Sequence, residues 1–132
     1  MNVQSHLESL RESVGEIEEA VKKGLATKQR SLGFHASAAA IDMLEIIFHE
    51  RNLVDPGFVV KHEWLNSQKK IKEKFPFDFP HKSEILLLAS KIEAQRNKLC
   101  YGKRQSEEIL EHLVKDFNSL KEIFIEVTGH EL

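Results

Sequence analysis

The chain contains few of the residues that cross-link or interrupt a fold. It has one cysteine, Cys100, together with three prolines and six glycines in 132 residues. A single cysteine excludes a disulfide within the chain and is typical of a reducing compartment, so we expect a cytoplasmic protein. The scarcity of proline and glycine leaves long stretches of the chain able to form helices.

Long hydrophobic runs are also missing. No stretch approaches the roughly 18 consecutive apolar residues of a membrane span, and the start, MNVQSHLESLRES, lacks the basic and apolar segments of a signal peptide. The formal net charge of −2 gives no overall attraction to nucleic acid or to a membrane. We therefore expect no membrane partner, and any binding of nucleic acid must come from a local basic patch.

Apolar residues recur at helical spacing and nowhere alternate as they would in a strand. In the first segment they stand at positions 3, 7, 10, 14, 17 and 21, which places them on one face of a helix. Ser5 and Glu8 have the form of a capping box, so the predicted helix begins at about Ser5. Lys22 and Lys23 followed by Gly24 predict its end.

Three more long helices are predicted. The second extends from Thr27 as N-cap to about Arg51, and its small residues favour close packing against a neighbouring helix. The third begins at Ser83 and stops at Gly102, and the fourth lies between Ser106 and Gly129.

Residues 52–80 interrupt this pattern. Asp55 and Pro56 read as the start of a short helix over residues 58–65, and a second short helix is predicted over residues 68–74. Prolines at both ends of FPFDFP disfavour a longer one. The predicted fold is all-α, an up-and-down bundle of four long helices with a short helical insertion between the second and third, forming a single domain over residues 1–132.

The chain lacks the common patterns of metal and cofactor sites. It has seven histidines, and none has Glu three residues earlier, as di-iron bundles require. There is no glycine-rich phosphate loop, CxxC pair or GxSxG elbow. Cys100 falls at the negative end of a helix, which opposes a thiolate, so we interpret it as a structural or incidental thiol. No metal and no cofactor is expected.

The segment RNKLCYGKR, residues 96–104, is the strongest candidate for a binding site. It carries four positive charges, no acidic residue, and an Asn and a Tyr that can form hydrogen bonds. The guanidinium of Arg matches a phosphate with two parallel hydrogen bonds, and Tyr can stack on a base. The candidate binding residues are Arg96, Asn97, Tyr101, Lys103 and Arg104.

Arg96 poses a specific question because it follows the apolar positions Leu88 and Ile92 on the face expected to be buried. A buried guanidinium without a partner is costly. Either Arg96 pairs with a carboxylate, such as Glu93 or one on a neighbouring helix, or it faces a cleft that accepts an anion. The sequence leaves both possibilities open.

The order of the helices, the segment GFHASAAAIDMLEIIFHER and the late helix ending in RNKLCYG resemble the HEPN domain superfamily over about residues 25–127. The resemblance implies a small helical bundle of the kind found in prokaryotic toxins, antiphage systems and partners of nucleotidyltransferases. It further implies a homodimer in which two motifs line one positive cleft. In members that are RNases, cleavage is metal-independent and uses the 2′-hydroxyl of the RNA. The implied partners are RNA or a nucleotide and a nucleotidyltransferase, with a toxin–antitoxin role.

The motif of that family is an Arg, often followed by a polar residue, then four to six residues and a His. Arg96 and Asn97 match its start, but Tyr101, Gly102 or Lys103 stands where the His belongs. Lys103 also stands where a related subgroup has a Tyr that its partner modifies. A tyrosine is almost fully protonated at neutral pH and is a poor base.

We therefore expect a protein that binds nucleotide or RNA without efficient RNase activity. One alternative is a divergent, toxin-like, metal-independent endoribonuclease with Arg96 and Tyr101 as catalytic residues. Another is a helical protein-interaction module, in which Arg96 forms a salt bridge between helices.

Overall fold

Every regular element is helical in the computed structural model, which describes residues 2–132. The α-helices are α1 (Val3–Lys23), α2 (Gln29–Glu50), α3 (Gln68–Lys74), α4 (Lys82–Tyr101) and α5 (Glu107–Thr128). Two short 3-10 turns span Leu25–Lys28 and His62–Asn66. No strand occurs in this part of the chain, so the all-α prediction is confirmed.

The predicted helix ends are confirmed. Gly24 (φ 105°) and Gly129 (φ 77°) close α1 and α5 in conformations that favour glycine. The N–H of Gly102 donates to the carbonyl of Lys98 (3.0 Å) where α4 ends. At the start of α5, the hydroxyl of Ser106 accepts from the N–H of Ile109 as an N-cap.

Three predicted N-caps are wrong, although each helix begins close to its predicted start. Asn2, not Ser5, caps α1, and its side chain accepts from the N–H of Ser5 at 2.8 Å. Thr27 lies inside a 3-10 turn and its hydroxyl donates to the carbonyl of Gly24. Ser83 lies in the first turn of α4, which begins after His81 in a left-handed conformation (φ 58°). Short polar side chains bond to several nearby backbone groups, so their type alone does not fix which one caps.

The insertion contains one of the two predicted short helices. The helix over residues 68–74 is confirmed as α3, whereas residues 58–65 form no α-helix, and their second half belongs to the 3-10 turn His62–Asn66. The connection packs instead through aromatic side chains. The ring of Phe48 on α2 lies within 6.4 Å, between centroids, of four rings from this region: Phe58, Phe75, Phe77 and Phe79. Burial of these rings supports an irregular backbone that helix propensity does not predict.

α2 is the central helix and contacts α1, α4 and α5. Its approach to α4 is close at Gly33, where a Cβ would lie 2.6 Å from the Cβ of Leu99. The prediction that small residues on this helix allow close packing is thus confirmed. This contact sets where the second half of α4 lies, and the candidate site is on that half.

By length and composition alone, the segment Leu25–Glu50 resembles a membrane-crossing helix, with a mean hydropathy of 1.3 over 18 residues. In the structure, 67% of that window is buried inside the protein. The same composition is typical of a helix at the centre of a core, because such a helix is apolar on most of its faces.

Candidate functional site

Arg96 is half-buried on α4 and faces an open cleft of about 350 Å³. This Arg96 cleft lies between α4 and the 3-10 turn His62–Asn66. It is lined by Lys61, His62, Glu63, Asn66, Glu93, Arg96 and Asn97. Across residues 2–132, Arg96 forms no ion pair and no side-chain hydrogen bond. Of the two arrangements that the sequence allowed, the described structure has the one in which Arg96 faces a cleft.

Glu93, one of the carboxylates that the sequence offered as a possible partner of Arg96, is buried and engaged elsewhere. One of its oxygens accepts from the hydroxyl of Ser37 on α2 at 2.7 Å and lies 2.9 Å from Nδ1 of His62. The hydroxyl of Ser37 lies 3.1 Å from the same nitrogen. These three residues form the Ser37–Glu93–His62 cluster. Glu93 makes no contact with Arg96 in the described chain, so Arg96 remains available to a ligand.

The His62 side chain is 38% exposed and contributes to the wall of the cleft. A carboxylate only accepts hydrogen bonds, so Nδ1 of His62 carries the proton in its contact with Glu93. In the neutral ring, Nε2 then has a free lone pair. No residue of the described chain bonds to Nε2.

The charges around the cleft are mixed. Lys61 and Arg96 are the cations, and Glu63 and Glu93 are the carboxylates. Since Glu93 is buried, Glu63 is the only exposed carboxylate among the described lining residues. Asn97 and Asn66 add neutral polar groups. The cleft therefore offers hydrogen-bond donors around a guanidinium.

Tyr101 lies in a different surface pocket, together with Arg30, Ser31, Phe34, His35 and Cys100. The residue is 71% exposed, and the guanidinium carbon of Arg30 lies 5.8 Å from the centroid of its ring. Five residues along an α-helix correspond to a rotation of about 140° beyond one full turn. Within one chain, Tyr101 and Arg96 thus face different directions.

Lys103 and Arg104 lie in the loop after α4, beside the 3-10 turn that precedes α2. The guanidinium of Arg104 donates to the carbonyl of Ala26 at 3.2 Å. The buried side chain of Gln29 holds this loop, since its amide nitrogen donates to the carbonyl of Lys103 (3.1 Å) and its oxygen accepts from the N–H of Gln105 (2.8 Å). Of the five candidate residues, only Arg96 and Asn97 line the Arg96 cleft.

Cys100 does not have the surroundings of a nucleophile. Its thiol lies 3.8 Å from the carbonyl oxygen of Arg30, and burial raises its pKa above the usual value for a thiol, although Arg96 and Arg30 act in the opposite direction. The thiolate is therefore disfavoured. Within residues 2–132, no group of three or more His, Cys, Asp or Glu side chains is arranged to hold a metal ion.

The sequence did not indicate Lys61, His62 or Asn66 as part of the site. His62 is 31 positions from Glu93, and no motif spacing connects them. The only sequence signal was their position in a segment rich in turns, where functional side chains are often found.

No protein-family model, curated protein or solved structure matches this chain.

Proposed function

We propose that the protein binds RNA or a nucleotide and that Arg96 holds a phosphate group in the cleft. The observation that supports this is a half-buried guanidinium that faces an open cleft and has no carboxylate partner in the described chain. An arginine held in this way satisfies its donors best with an oxyanion, and its planar fork fits phosphate. Lys61 and Asn97 stand beside it as further donors.

The HEPN-like assignment is part of the same proposal. The contacts of α2 with α1, α4 and α5 support an up-and-down bundle of four long helices. On this proposal the protein is a cytoplasmic homodimer whose two Arg96 clefts face one ligand. A nucleotidyltransferase partner or a toxin–antitoxin role is proposed on the resemblance alone.

A protein-interaction module is the second candidate, and one observation favours it. Phe34 and Tyr101 line the same surface pocket. Of their surfaces, 50% and 71% respectively are exposed. Exposed neighbouring aromatic residues are common where a partner protein binds. No comparable observation favours an endoribonuclease that uses Tyr101, because Tyr101 and Arg96 lie in different pockets of one chain.

Fluorescence anisotropy with a labelled single-stranded RNA tests the proposal. Wild-type protein should bind, and the affinity should fall as salt rises, because phosphate contacts release counterions. Arg96→Ala should weaken binding about tenfold or more, since a hydrogen bond to a charged group contributes about 1.5–3 kcal/mol.

Arg51→Ala is the matched control. Arg51 is exposed at the end of α2, and its removal changes the net charge equally without altering the described lining of the cleft. Equal affinity of the Arg96 and Arg51 variants would refute the assignment of Arg96. Absence of RNA and nucleotide binding by the wild type, with binding of a protein that depends on Phe34, would favour the interaction module.

A further inference from the structure

The Arg96 cleft has a polar side chain on each of its two walls, Arg96 on α4 and His62 on the 3-10 turn. We propose that the cleft selects a phosphate monoester over a phosphodiester, and that protonated His62 is its second phosphate ligand. The ligand is then a nucleoside monophosphate, a terminal phosphate of RNA or free phosphate. This inference rests on the proposed function, since it requires a phosphate at Arg96.

The contacts of His62 inside the protein leave Nε2 as the nitrogen available at the cleft. Nδ1 lies 2.9 Å from the buried carboxylate of Glu93 and 3.1 Å from the hydroxyl of Ser37. Nε2 bonds to no residue of the described chain, and 38% of the side chain is exposed. Because Nδ1 keeps its proton in the contact with Glu93, a second proton goes to Nε2. The ring then becomes a cation with one N–H free for a ligand.

The arrangement of donors favours a monoester. A phosphate monoester has three terminal oxygens and carries a charge of roughly −1.5 to −2 at neutral pH. The guanidinium of Arg96 can bond to two of these oxygens in parallel. The third oxygen is free for the N–H of His62, whereas in a diester that position carries an ester carbon. The volume of the cleft, about 350 Å³, lies near the lower end of the range of small-molecule sites and suits one nucleotide.

The charges around His62 make its protonation sensitive to a bound anion. Carboxylates near the ring favour the imidazolium, whereas the cations of the cleft oppose it until an anion binds. The charged groups that act on the ring or line its cleft are Glu93 and Arg96 on α4, Asp42 on α2, and Lys61 and Glu63 beside it in the chain. No charged residue of α3, which also packs against the turn, belongs to the described lining. Binding of a dianion at Arg96 should therefore be accompanied by uptake of a proton.

This arrangement predicts that affinity rises as pH falls. Neutral His62 presents a lone pair that repels a phosphate oxygen, and the protonated ring donates to it instead. Below about pH 6 a phosphate monoester also takes up a proton and loses charge. Sulfate remains a dianion throughout this range, so its binding isolates the titration of the protein.

Isothermal titration calorimetry tests the selection with a matched pair of ligands, adenosine 5′-monophosphate and its 3′,5′-cyclic diester. At pH about 6, wild-type protein should bind the monoester about tenfold more tightly than the diester. His62→Ala should weaken binding of the monoester about tenfold and remove the preference, because a hydrogen bond to a charged group is lost.

Sulfate tests the role of the proton. Wild-type protein should bind sulfate about tenfold more tightly at pH about 5.5 than at pH about 8, because the binding form of His62 becomes populated. His62→Gln should bind it equally at both, since an amide does not titrate. Glu93→Gln should move the rise in affinity to lower pH, because the amide no longer stabilises a protonated imidazole. A merely structural role of Glu93 would not move it.

His112→Ala is the matched control. His112 is exposed on α5 and is absent from the described lining of the cleft. Its removal should leave both the preference for the monoester and the pH dependence of sulfate binding unchanged.

The outcomes separate this inference from the proposed function. If the wild type binds no nucleotide and no RNA, or if Arg96→Ala does not weaken binding, the proposed function fails and this inference with it. If the cyclic nucleotide or RNA with a 5′-hydroxyl end binds as tightly as the monoester, and Arg96→Ala weakens both, phosphate binding stands and the selection is refuted. A sulfate affinity that does not change with pH, or that changes equally in His62→Gln, refutes the role of His62. If His62→Ala does not fold, His62→Gln decides.

Discussion

Two groups of histidines and carboxylates meet α2, and they differ in what they leave free. The first group is a buried cluster formed by His6, Asp42, Glu45 and His49. Nδ1 of His6 lies 2.9 Å from Asp42, and Nε2 of His49 lies 3.0 Å from Glu45. The exposed fraction of each of these four side chains is 15% or less.

The second group is the Ser37–Glu93–His62 cluster. Its carboxylate is as buried as Glu45, with 4% of the side chain exposed against 2%, but its imidazole is 38% exposed. In the first group the hydrogen bonds join α1, α2 and the following loop, since the second oxygen of Glu45 accepts from the N–H of Val60. The same residue types therefore join elements of the fold in one place and leave a ring nitrogen free at a cleft in the other.

The first prediction concerns Glu45, where the comparison implies the greatest loss of stability. Glu45→Ala should lower the free energy of unfolding by about 3 kcal/mol or more, because it leaves the N–H of Val60 without its buried acceptor and removes one of the two acceptors beside Nε2 of His49. Chemical denaturation measures this. Glu63→Ala, at an exposed position, should change stability by no more than about 0.5 kcal/mol. If Glu45→Ala lowers the free energy of unfolding by less than about 1 kcal/mol, the first group does not stabilise the fold as the comparison implies.

The second prediction concerns the distance between α2 and α4, on which the contact of Ser37 with Glu93 depends. Gly33→Ala should destabilise the protein by about 1–3 kcal/mol, because its Cβ would meet Leu99 at 2.6 Å. RNA binding should weaken as well, since α4 carries Arg96. Gly15→Ala on α1 is the control, because no atom lies within 4 Å of that Cβ. It should stabilise the helix by about 0.5–1 kcal/mol. If the two variants have the same stability and the same RNA affinity, close packing at Gly33 does not determine the position of α4 at the cleft.

Features that depend on neighbouring residues could be predicted from the sequence, and features that depend on distant contacts could not. The class of fold and most helix ends followed from local patterns, because an apolar stripe and a closing glycine act within a few residues. The short helix over residues 58–65 was predicted wrongly, since contacts of aromatic rings with Phe48 determine that backbone. Such contacts join residues far apart in the sequence, and helix spacing does not reveal them.

Part of the lining of the Arg96 cleft was predictable, because residues on one helix are close in the sequence. Arg96 and Asn97 were found from their residue types on one helix, and both line the cleft. His62 was not found, because its neighbourhood with Glu93 arises only after the insertion folds against α4. Tyr101 was grouped with Arg96 by proximity in the sequence, whereas the turn of the helix places them in separate pockets.

The third prediction concerns pH and should have the smallest effect. Burial raises the pKa of Asp42 above its ordinary value, and the contact with His6 opposes this. Between the unfolded and folded pKa values the native state binds more protons, so the contribution of Asp42 to stability is lost as pH rises through the folded pKa. Asp42→Asn should flatten this decline in denaturation midpoints measured from pH about 4 upward. If the Asp42→Asn variant shows the same decline in stability as the wild type, another titratable group causes the decline.

The central claim is that a phosphate binds at Arg96, and NMR titration of ¹⁵N-labelled protein with single-stranded RNA locates the ligand. The account predicts that the side-chain Nε–H signal of Arg96 and the backbone signals of residues 61–66 and 93–97 shift together and saturate at one affinity. Shifts confined to Tyr101, Lys103 and Arg104, with the Arg96 signal unchanged, would contradict it.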